Sequence, residues 1–513
     1  MAQQTFSIPL KDAQFPMMAR NQSRTVINPS PGEVPDPVSI AYCENVMPTK
    51  EGYVSVAFKQ LTTVITPLHS FVKVHVVYDT DRERMYMAWD SYGRVYIKTK
   101  IGGTWSIRPE TAPPSSIANF FTSHQVSIAT VNGITYICYG DRSLVYPATF
   151  WKIDHATLYL VPAVLTGVAL ATIVCNVSAS GYHMVFTTNA VAWSSTLNPL
   201  DFVPSPVTGA GGGNIADIEG EILFVVPITD GFLIFSEANI VAATYTGNVR
   251  FPWKFRVVPN SRGGIDLDLT TYMSNSPSQF AYTTAGIQSI TPQNAEVILP
   301  EVTDFLAGKT LETYNSILNI YQYTELTIYQ TMQKKIRFIG SRYLVISYGI
   351  TEFTHALIFD IALNRLGKII YTHVDCFEYI NITEQKEVAK EMIAFVNSAA
   401  ETVAIDFNTL NETKGVLVLG KLQHVRSNLL TLEGVELEGT RQIVAIYPEV
   451  AVFDQVSLDG KNFTIEQATE VNTTEDPLRR FSIHTTGKNH SLAIVGSFDL
   501  TTVLVTYTLH GKR

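Results

Sequence analysis

The stretch VKVHVVYDTDRERMYMAWDSYGRVYIKTKIGGTWSI (residues 72–107) decides the fold class. Polar and apolar residues alternate through the runs 72–79, 84–91 and 93–100, and a fourth run, 103–107, follows. Alternation with a period of two is typical of strands that bury one face. Because the polar segments between the runs are short, we expect one antiparallel meander of four strands.

Similar groups of strands recur along the chain. They are predicted over residues 124–141, 181–195, 222–247, 279–292, 337–375 and 391–408. Successive meanders at this spacing predict an all-β protein built around a β-propeller of about six or seven blades. No WD dipeptide or kelch glycine pair recurs, so a series of β-sandwiches is the alternative.

The two ends of the chain differ from this middle part. Residues 1–70, with the proline-rich NPSPGEVPDP (28–37), predict an extended N-terminal arm and the first strands. Residues 71–419 are predicted to form the propeller, with an insertion near 302–330. Residues 420–513 contain long alternating strands and predict an additional C-terminal β-sandwich-like domain.

Composition limits the function classes. The chain of 513 residues has 37 basic and 46 acidic residues, a net charge of −9, whereas proteins that grip DNA along its length are basic. Such a chain can still surround DNA without holding it. The four cysteines are far apart, which predicts reduced, buried thiols.

The sequence predicts neither a signal peptide nor a membrane span. The opening MAQQTFSIPLKDAQF lacks the basic start and apolar core of a signal peptide. The uncharged LYLVPAVLTGVALATIVCNVSAS (158–180) is long enough for a membrane span. Its Pro162, its Gly167 and its many valines favour two buried strands with a turn instead, so no membrane span is predicted.

The glycine-rich VTGAGGGNIAD (207–217) could be a phosphate loop or a crossing between strands. Asn214 stands where a G-x-G-x-x-G motif needs its third glycine, and no Gly-Lys-Ser/Thr follows. The stretch is therefore predicted to be an inter-blade loop; a place near a subunit contact or a channel is what the family resemblance given below implies. Its candidate residues are Gly209, Gly211, Gly212 and Gly213.

A second candidate contact surrounds the segment PWKF (252–255). Trp253 is expected mainly to pack between blades. The cations Arg250, Lys254, Arg256 and Arg262 surround it and could form a basic patch for an acidic partner or for passing nucleic acid.

Signals for catalysis are weak. No G-x-S-x-G elbow is present. Asp266 and Asp268 are predicted to share a strand face, and paired carboxylates can hydrolyse glycosides, although such pairs are usually just solvated. We predict no catalytic residue and no cofactor.

Signals for a metal are equally weak. His373 and Asp375 could begin a metal site on one strand face, but nothing marks further ligands. His183 and His355 are expected to be ordinary strand residues. The turn SLDGKNF (457–463) lacks the ligand series of an EF-hand, so no metal is predicted.

Long stretches of the chain resemble the tail nozzle (tail tube) proteins of short-tailed bacteriophages. They are SIPL (7–10), ENVMPTKEGYVSV (44–56), AVAWSSTLNPLDFVPS (190–205), GGGNIADIEGEILFVVPITDGFLIFSEANIVAATYTGNVRFPWKF (211–255), VLGKLQHVR (418–426), SLDGKNF (457–463) and FSIHTTGKNHSLAIVGSFDLTTVLVTYTLHGKR (481–513). The resemblance covers most of the chain, through strand and turn residues and not through a catalytic signature.

The resemblance implies a structural virion protein of the tail, with a propeller and added β domains. It implies a homohexameric ring below the portal and the head-to-tail adaptor protein, with tail fibres or spikes docked nearby. Genomic DNA would be retained and then conducted without sequence-specific binding. The alternatives are a receptor-binding or glycan-binding tail protein and a propeller glycan hydrolase that uses Asp266 and Asp268.

Overall fold

The computed structural model describes most of the chain. The described residues are 3–13, 24–27, 38–61, 70–78, 84–101, 104–111, 124–141, 147–154, 160–248, 251–272, 276–307, 332–380, 391–406, 415–424, 429–439, 450–457, 464–471 and 479–510.

Six short strands come first. They are β1 (Gln3–Pro9), β2 (Arg24–Ile27), β3 (Ile40–Glu44), β4 (Val46–Pro48), β5 (Tyr53–Ser55) and β6 (Ala57–Gln60). Apart from the β4–β5 pair, each of them pairs with strands that lie hundreds of residues later. The N-terminal 70 residues therefore complete the sheets of both later domains.

Four consecutive sheets of four antiparallel strands follow. Blade 1 is β7 (Phe71–Tyr78), β8 (Arg84–Asp90), β9 (Val95–Ile101) and β10 (Thr104–Thr111); blade 2 is β11 (His124–Val131), β12 (Ile134–Asp141), β13 (Thr149–Asp154) and β14 (Leu160–Pro162). Blade 3 is β15 (Cys175–Ala179), β16 (Tyr182–Phe186), β17 (Ala190–Trp193) and β18 (Gly211–Asn214); blade 4 is β19 (Ile222–Ile228), β20 (Gly231–Ser236), β21 (Ile240–Tyr245) and β22 (Trp253–Val257).

Three further sheets continue the series. Blade 5 is β23 (Gln279–Thr283), β24 (Gly286–Ile290) and β25 (Ala295–Val297), followed by helix α1 (Pro300–Leu306). Blade 6 is β26 (Gln333–Ile339), β27 (Tyr343–Gly349), β28 (Phe353–Asp360) and β29 (Arg365–His373), extended by β4 and β5; blade 7 is β30 (Asp375–Ile380), β31 (Glu391–Val396) and β32 (Thr402–Asp406), with β6 as its fourth strand.

The seven sheets close into a ring. Each blade shares a hydrophobic core with the next, as Met87 of blade 1 does with Ile137 of blade 2. The last blade packs on the first in the same way, because Phe377 and Ala394 lie in one core with Tyr86. The described sheets thus form a β-propeller of seven blades, in agreement with the predicted fold class.

The remaining strands, all but β41, form a β-sandwich. They are β33 (Gly415–Leu419), β34 (Lys421–His424), β35 (Leu430–Glu438), β36 (Ala451–Ser457), β37 (Thr464–Gln467), β38 (Thr469–Val471), β39 (Arg479–Gly487), β40 (Asn489–Gly496), β41 (Asp499–Leu500) and β42 (Thr502–Leu509). One sheet has the order β1-β42-β35-β39-β38, and the other has β2-β34-β40-β33-β3 with β36 and β37 beside β40. Strand β41 instead joins the extended sheet of blade 6.

Alternation explains the packing of the sandwich. Buried and solvent-facing residues alternate along β39 and β42, so one face of their sheet lies against the second sheet. A polar contact crosses this core. The Nδ1 atom of His490 lies 2.7 Å from a carboxylate oxygen of Asp454, which also accepts a hydrogen bond from the hydroxyl of Thr485.

The predicted domain boundaries disagree in two places with the domains to which the observed strands belong. Strands β1 and β3 of the predicted arm belong to the sandwich, and so does β33, which precedes residue 420. The predicted insertion near 302–330 begins within α1, and residues 308–331 lie outside the described residues.

Candidate functional site

The glycine-rich stretch forms the outer strand of blade 3. Gly211, Gly212 and Gly213 pair with residues of β17 along β18, so the predicted inter-blade loop is wrong for these three glycines. Gly209 precedes the strand with a φ of 75° and accepts a hydrogen bond from the indole N–H of Trp193 at 2.9 Å.

Close packing against Trp193 explains why position 211 is a glycine. A Cβ atom on Gly211 would lie 2.9 Å from the indole ring, whereas one on Gly213 would meet nothing within 4 Å. The stretch lacks the helix N-terminus that a phosphate-binding loop uses, because β18 ends in a turn that leads into blade 4.

The predicted basic patch lies on the outer strand of blade 4. Trp253 is buried and packs edge-on against Phe232 of its own blade at a ring-centroid distance of 4.9 Å. It also packs edge-on against Tyr182 of blade 3 at 6.0 Å, as expected for packing between blades. Lys254 and Arg256 are exposed on β22. Arg262 is exposed on the connection to blade 5, and Arg250 lies outside the described residues. None of the described members faces the centre of the ring.

The two candidate carboxylates lie on a turn and not on a strand. Residues Leu267–Leu269 form a single 3-10 turn, and the carboxylate of Asp266 accepts the backbone N–H of Asp268 at 2.9 Å. The predicted shared strand face is therefore wrong. Asp266 caps the turn, and Asp268 forms ion pairs.

Five charged side chains from four elements meet around Asp268, and we call them the central ion cluster. Its members are Lys73 on β7, Asp268 on the turn, Lys335 and Arg337 on β26, and Asp375 on β30. Asp268 Oδ1 lies 3.1 Å from Lys73 Nζ and 3.1 Å from an Arg337 nitrogen. Arg337 also donates to both oxygens of Asp375, at 3.0 and 3.2 Å, and Lys335 Nζ lies 3.5 Å from Asp375.

The cations keep both carboxylates ionised. Burial raises the pKa of Asp268, but the charges of Lys73, Lys335 and Arg337 outweigh it and hold that pKa well below its usual range. The fully buried Asp375 is affected in the same way, with Arg337 and Lys335 lowering its pKa. A general acid of a glycosidase needs a raised pKa, so Asp268 does not suit that role.

The turn belongs to a segment, residues 266–272, that lies across the centre of the ring; we call it the central segment. The first strands of several successive blades contact each other directly and so line the centre. The central segment reaches Lys73 of blade 1 and Arg337 of blade 6 through Asp268. Tyr272 packs on His75 of blade 1, with ring centroids 5.1 Å apart, and its hydroxyl donates to the Ile128 carbonyl of blade 2.

The three histidines singled out from the sequence are buried and separate. Burial lowers the pKa of His183 to about 4, of His355 to about 3 and of His373 to about 4. His373 faces the carbonyl of Tyr371 at 2.6 Å and the hydroxyl of Ser347 at 2.7 Å, so its ring does not join Asp375 in a metal site.

Other candidate sites give no further chemistry. Within the described ranges, no group of three or more histidine, cysteine, aspartate or glutamate side chains could hold a metal ion. The turn 457–463 lies outside the described residues except for Ser457. None of the four cysteines forms a disulfide, all four are buried, and burial raises the pKa of Cys43 and of Cys376 to about 12.

The uncharged segment 158–180 contains β14, a 3-10 turn at Leu170–Thr172 and β15. Where the chain is described, no helix has the length and apolar character that a membrane crossing requires. Contrary to the expectation of two buried strands, Val161 and Val164 are exposed.

Sequence reasoning missed the central ion cluster. On β26, Lys335 and Arg337 alternate with the apolar Ile336 and Phe338. Two cations on one face of a strand could have indicated that carboxylates lie opposite. Nothing in the local sequence connects them with Lys73 or Asp268.

Comparison with known proteins gives no family. No protein-family model and no curated protein matches the sequence. Among solved structures, the chain is similar to the Saccharomyces cerevisiae Sqt1 crystal structure, with 8% identity and a TM-score of 0.36 over 64% of this chain and 82% of that one. It is also similar to "YCF48 bound to D1 peptide", with 8% identity and a TM-score of 0.34 over 68% and 96%. The propeller assignment above depends on the sheets of this chain.

Proposed function

We propose that this chain is a structural protein of the tail of a short-tailed bacteriophage, the tail nozzle. In this proposal, six copies form a ring below the portal and the adaptor protein. The ring retains the genomic DNA in the virion and conducts it during ejection. The observation that supports this most is the resemblance to nozzle proteins, because its stretches fall both in blades 3 and 4 and in the sandwich.

The central segment decides where DNA would run. In each copy, residues 266–272 contact the first strands of blades 1, 2 and 6, so the middle of the propeller is occupied by protein. A duplex could not take that route. The conduit would therefore lie between copies, on the axis of the ring.

Charge supports passage of DNA and not binding. A protein holds DNA when its cations release counterions from the phosphates, and this chain has an excess of nine acidic charges. The cations of the central ion cluster are already paired with Asp268 and Asp375. DNA would slide past such a surface.

The first test is the assembly state of the purified full-length chain. Mass photometry should detect a species of six times the 56.8 kDa chain, and negative-stain images should show a ring with an axial opening. Antibodies against the chain should label the tail tip of virions. A chain that stays monomeric at every concentration and is absent from virions would contradict the proposal.

DNA binding gives the second test. Electrophoretic mobility of a short duplex should be unchanged by micromolar ring at physiological salt. Tight, salt-sensitive binding would exclude a passive conduit.

A further inference from the structure

A long part of blades 2 and 3 carries almost no charge. From Leu160 to Leu200 the sequence has no aspartate, glutamate, lysine or arginine, and up to residue 216 Asp201 is the single exception. So uncharged a stretch is normally buried, yet much of this one is exposed. The exposed fractions are 72% for Val164, 85% for Leu197, 50% for Val203 and 89% for Val207.

These apolar residues belong to one continuous surface, which we call the uncharged rim (the exposed part of residues 160–216). Thr166 and Asp201 form a β-bridge, and the Phe202 N–H donates to the Thr166 carbonyl at 2.9 Å. The Thr196 N–H donates to the Thr208 carbonyl at 3.3 Å. These bonds join the segments of Val164, Leu197, Val203 and Val207.

The loops of the rim are fixed by internal hydrogen bonds. The Leu197 N–H donates to the hydroxyl of Ser195 at 3.1 Å, and the Val207 N–H donates to the hydroxyl of Ser205 at 3.2 Å. Asp201 Oδ1 accepts the Val203 N–H at 3.1 Å, so the one carboxylate serves the loop itself. Large apolar side chains are thus held outward on a preformed surface, which is the usual character of an interface.

We propose that the uncharged rim packs against a second copy of this chain. Copies that each carry a net charge of −9 repel each other, and this repulsion is weakest where a surface carries almost no carboxylates. The inference rests on the proposed ring and assigns its contact.

A ring needs two different faces, because each copy touches one neighbour on either side. Blade 4 offers the second face. Phe251 is 73% exposed and Val257 is 40% exposed there, next to the outer strand β22. The rim of one copy would lie on blade 4 of the next, with Lys254 and Arg256 at the edge of the contact, where water remains.

The test compares two double variants of the full-length chain by mass photometry over a range of concentrations. Leu197→Asp/Val207→Asp places two charges on the rim. Ile350→Asp/Val471→Asp places two charges at exposed apolar positions on blade 6 and on the sandwich. Tryptophan fluorescence and circular dichroism check that both variants are folded.

We expect the rim variant to need at least a tenfold higher concentration to assemble, and the control variant to assemble like wild type. A wild-type ring that persists unchanged in the rim variant would overturn the rim assignment and leave the proposed function intact. Equal loss of assembly in both variants would also overturn it, because the effect would then be one of charge alone. A monomeric wild type would remove both the rim contact and the proposed ring.

Discussion

Arg337 is the residue through which the central ion cluster can be tested most directly. It contacts Asp268 of the central segment and the fully buried Asp375 of blade 7 at the same time. The substitution Arg337→Met replaces the guanidinium by a shorter, unbranched and uncharged side chain that can still occupy the space of the aliphatic part. Asp375 would then retain one cation, Lys335 at 3.5 Å, and Asp268 would retain Lys73.

The expected effect is large because a buried carboxylate loses its bidentate partner. Removing one member of a buried ion pair destabilises a protein by about 3–5 kcal/mol. The pH dependence should change as well. Since the pKa values of Asp268 and Asp375 are lowered, the stability they contribute is present above about pH 4 and is lost as the pH falls below it. Without Arg337 the pKa of Asp375 rises toward its unfolded value, so the stability that is lost below about pH 4 becomes smaller.

Urea unfolding followed by tryptophan fluorescence measures this effect in the propeller. All five tryptophans, at positions 89, 105, 151, 193 and 253, lie in blades 1 to 4. The matched control is Arg262→Met, which removes the same charge from an exposed position between blades 4 and 5 and should change stability by less than about 0.5 kcal/mol. Equal urea midpoints for wild type and Arg337→Met, or equal shifts in both variants, would refute the assigned role of the cluster.

Three further predictions follow from other contacts. Gly211→Ala should destabilise blade 3 by about 1–3 kcal/mol and shift the emission of Trp193, because the new Cβ atom overlaps the indole ring; Gly213→Ala, into open space, should leave the urea midpoint unchanged. The three buried histidines, whose pKa values lie near 3 to 4, keep their stability contribution above pH 6.5 and lose it as the pH falls. The free energy of unfolding should therefore drop between pH 7 and pH 5 by about 2 kcal/mol per histidine, and the urea midpoint should fall with it; a flat profile would contradict their burial as neutral rings. His490→Leu should destabilise the sandwich by about 3 kcal/mol, because the buried Asp454 loses a hydrogen bond, and hydrogen exchange in β35 and β42 should accelerate while β7 to β9 stay protected.

Local pattern accounts for much of the fold. Strict alternation and Asp/Asn-Gly turns predict strands such as those of residues 222–247, which the structure divides into β19, β20 and β21. The seven meanders also predict the propeller, because each one can bury both faces against its neighbours. What alternation leaves out is pairing between distant segments. Strand β6 completes blade 7 from more than three hundred residues away, and no local feature records this.

The candidate sites were less predictable for the same reason. Glycine usually indicates a turn, but Gly211 to Gly213 form a strand because Trp193 leaves room for no side chain at Gly211. Asp266 and Asp268 follow the spacing of a strand face, yet the cap on the Asp268 N–H makes a 3-10 turn. The partners of Asp268 come from blades 1 and 6, so its role depends on the closed ring.

The pairing of β1 with β42 has a consequence for how the chain is made. Gln3 lies opposite Thr508, so β1 is made long before β42, the strand with which it pairs. The sheet of blade 7 is likewise incomplete until residues 402–406 have been made and pair with the much earlier strand β6. A prematurely ended chain would lack the last strand of the sandwich and expose the edges of β1 and β35. Only copies that include β42 therefore have a closed sheet order in the sandwich, with no unpaired edge between β1 and β35.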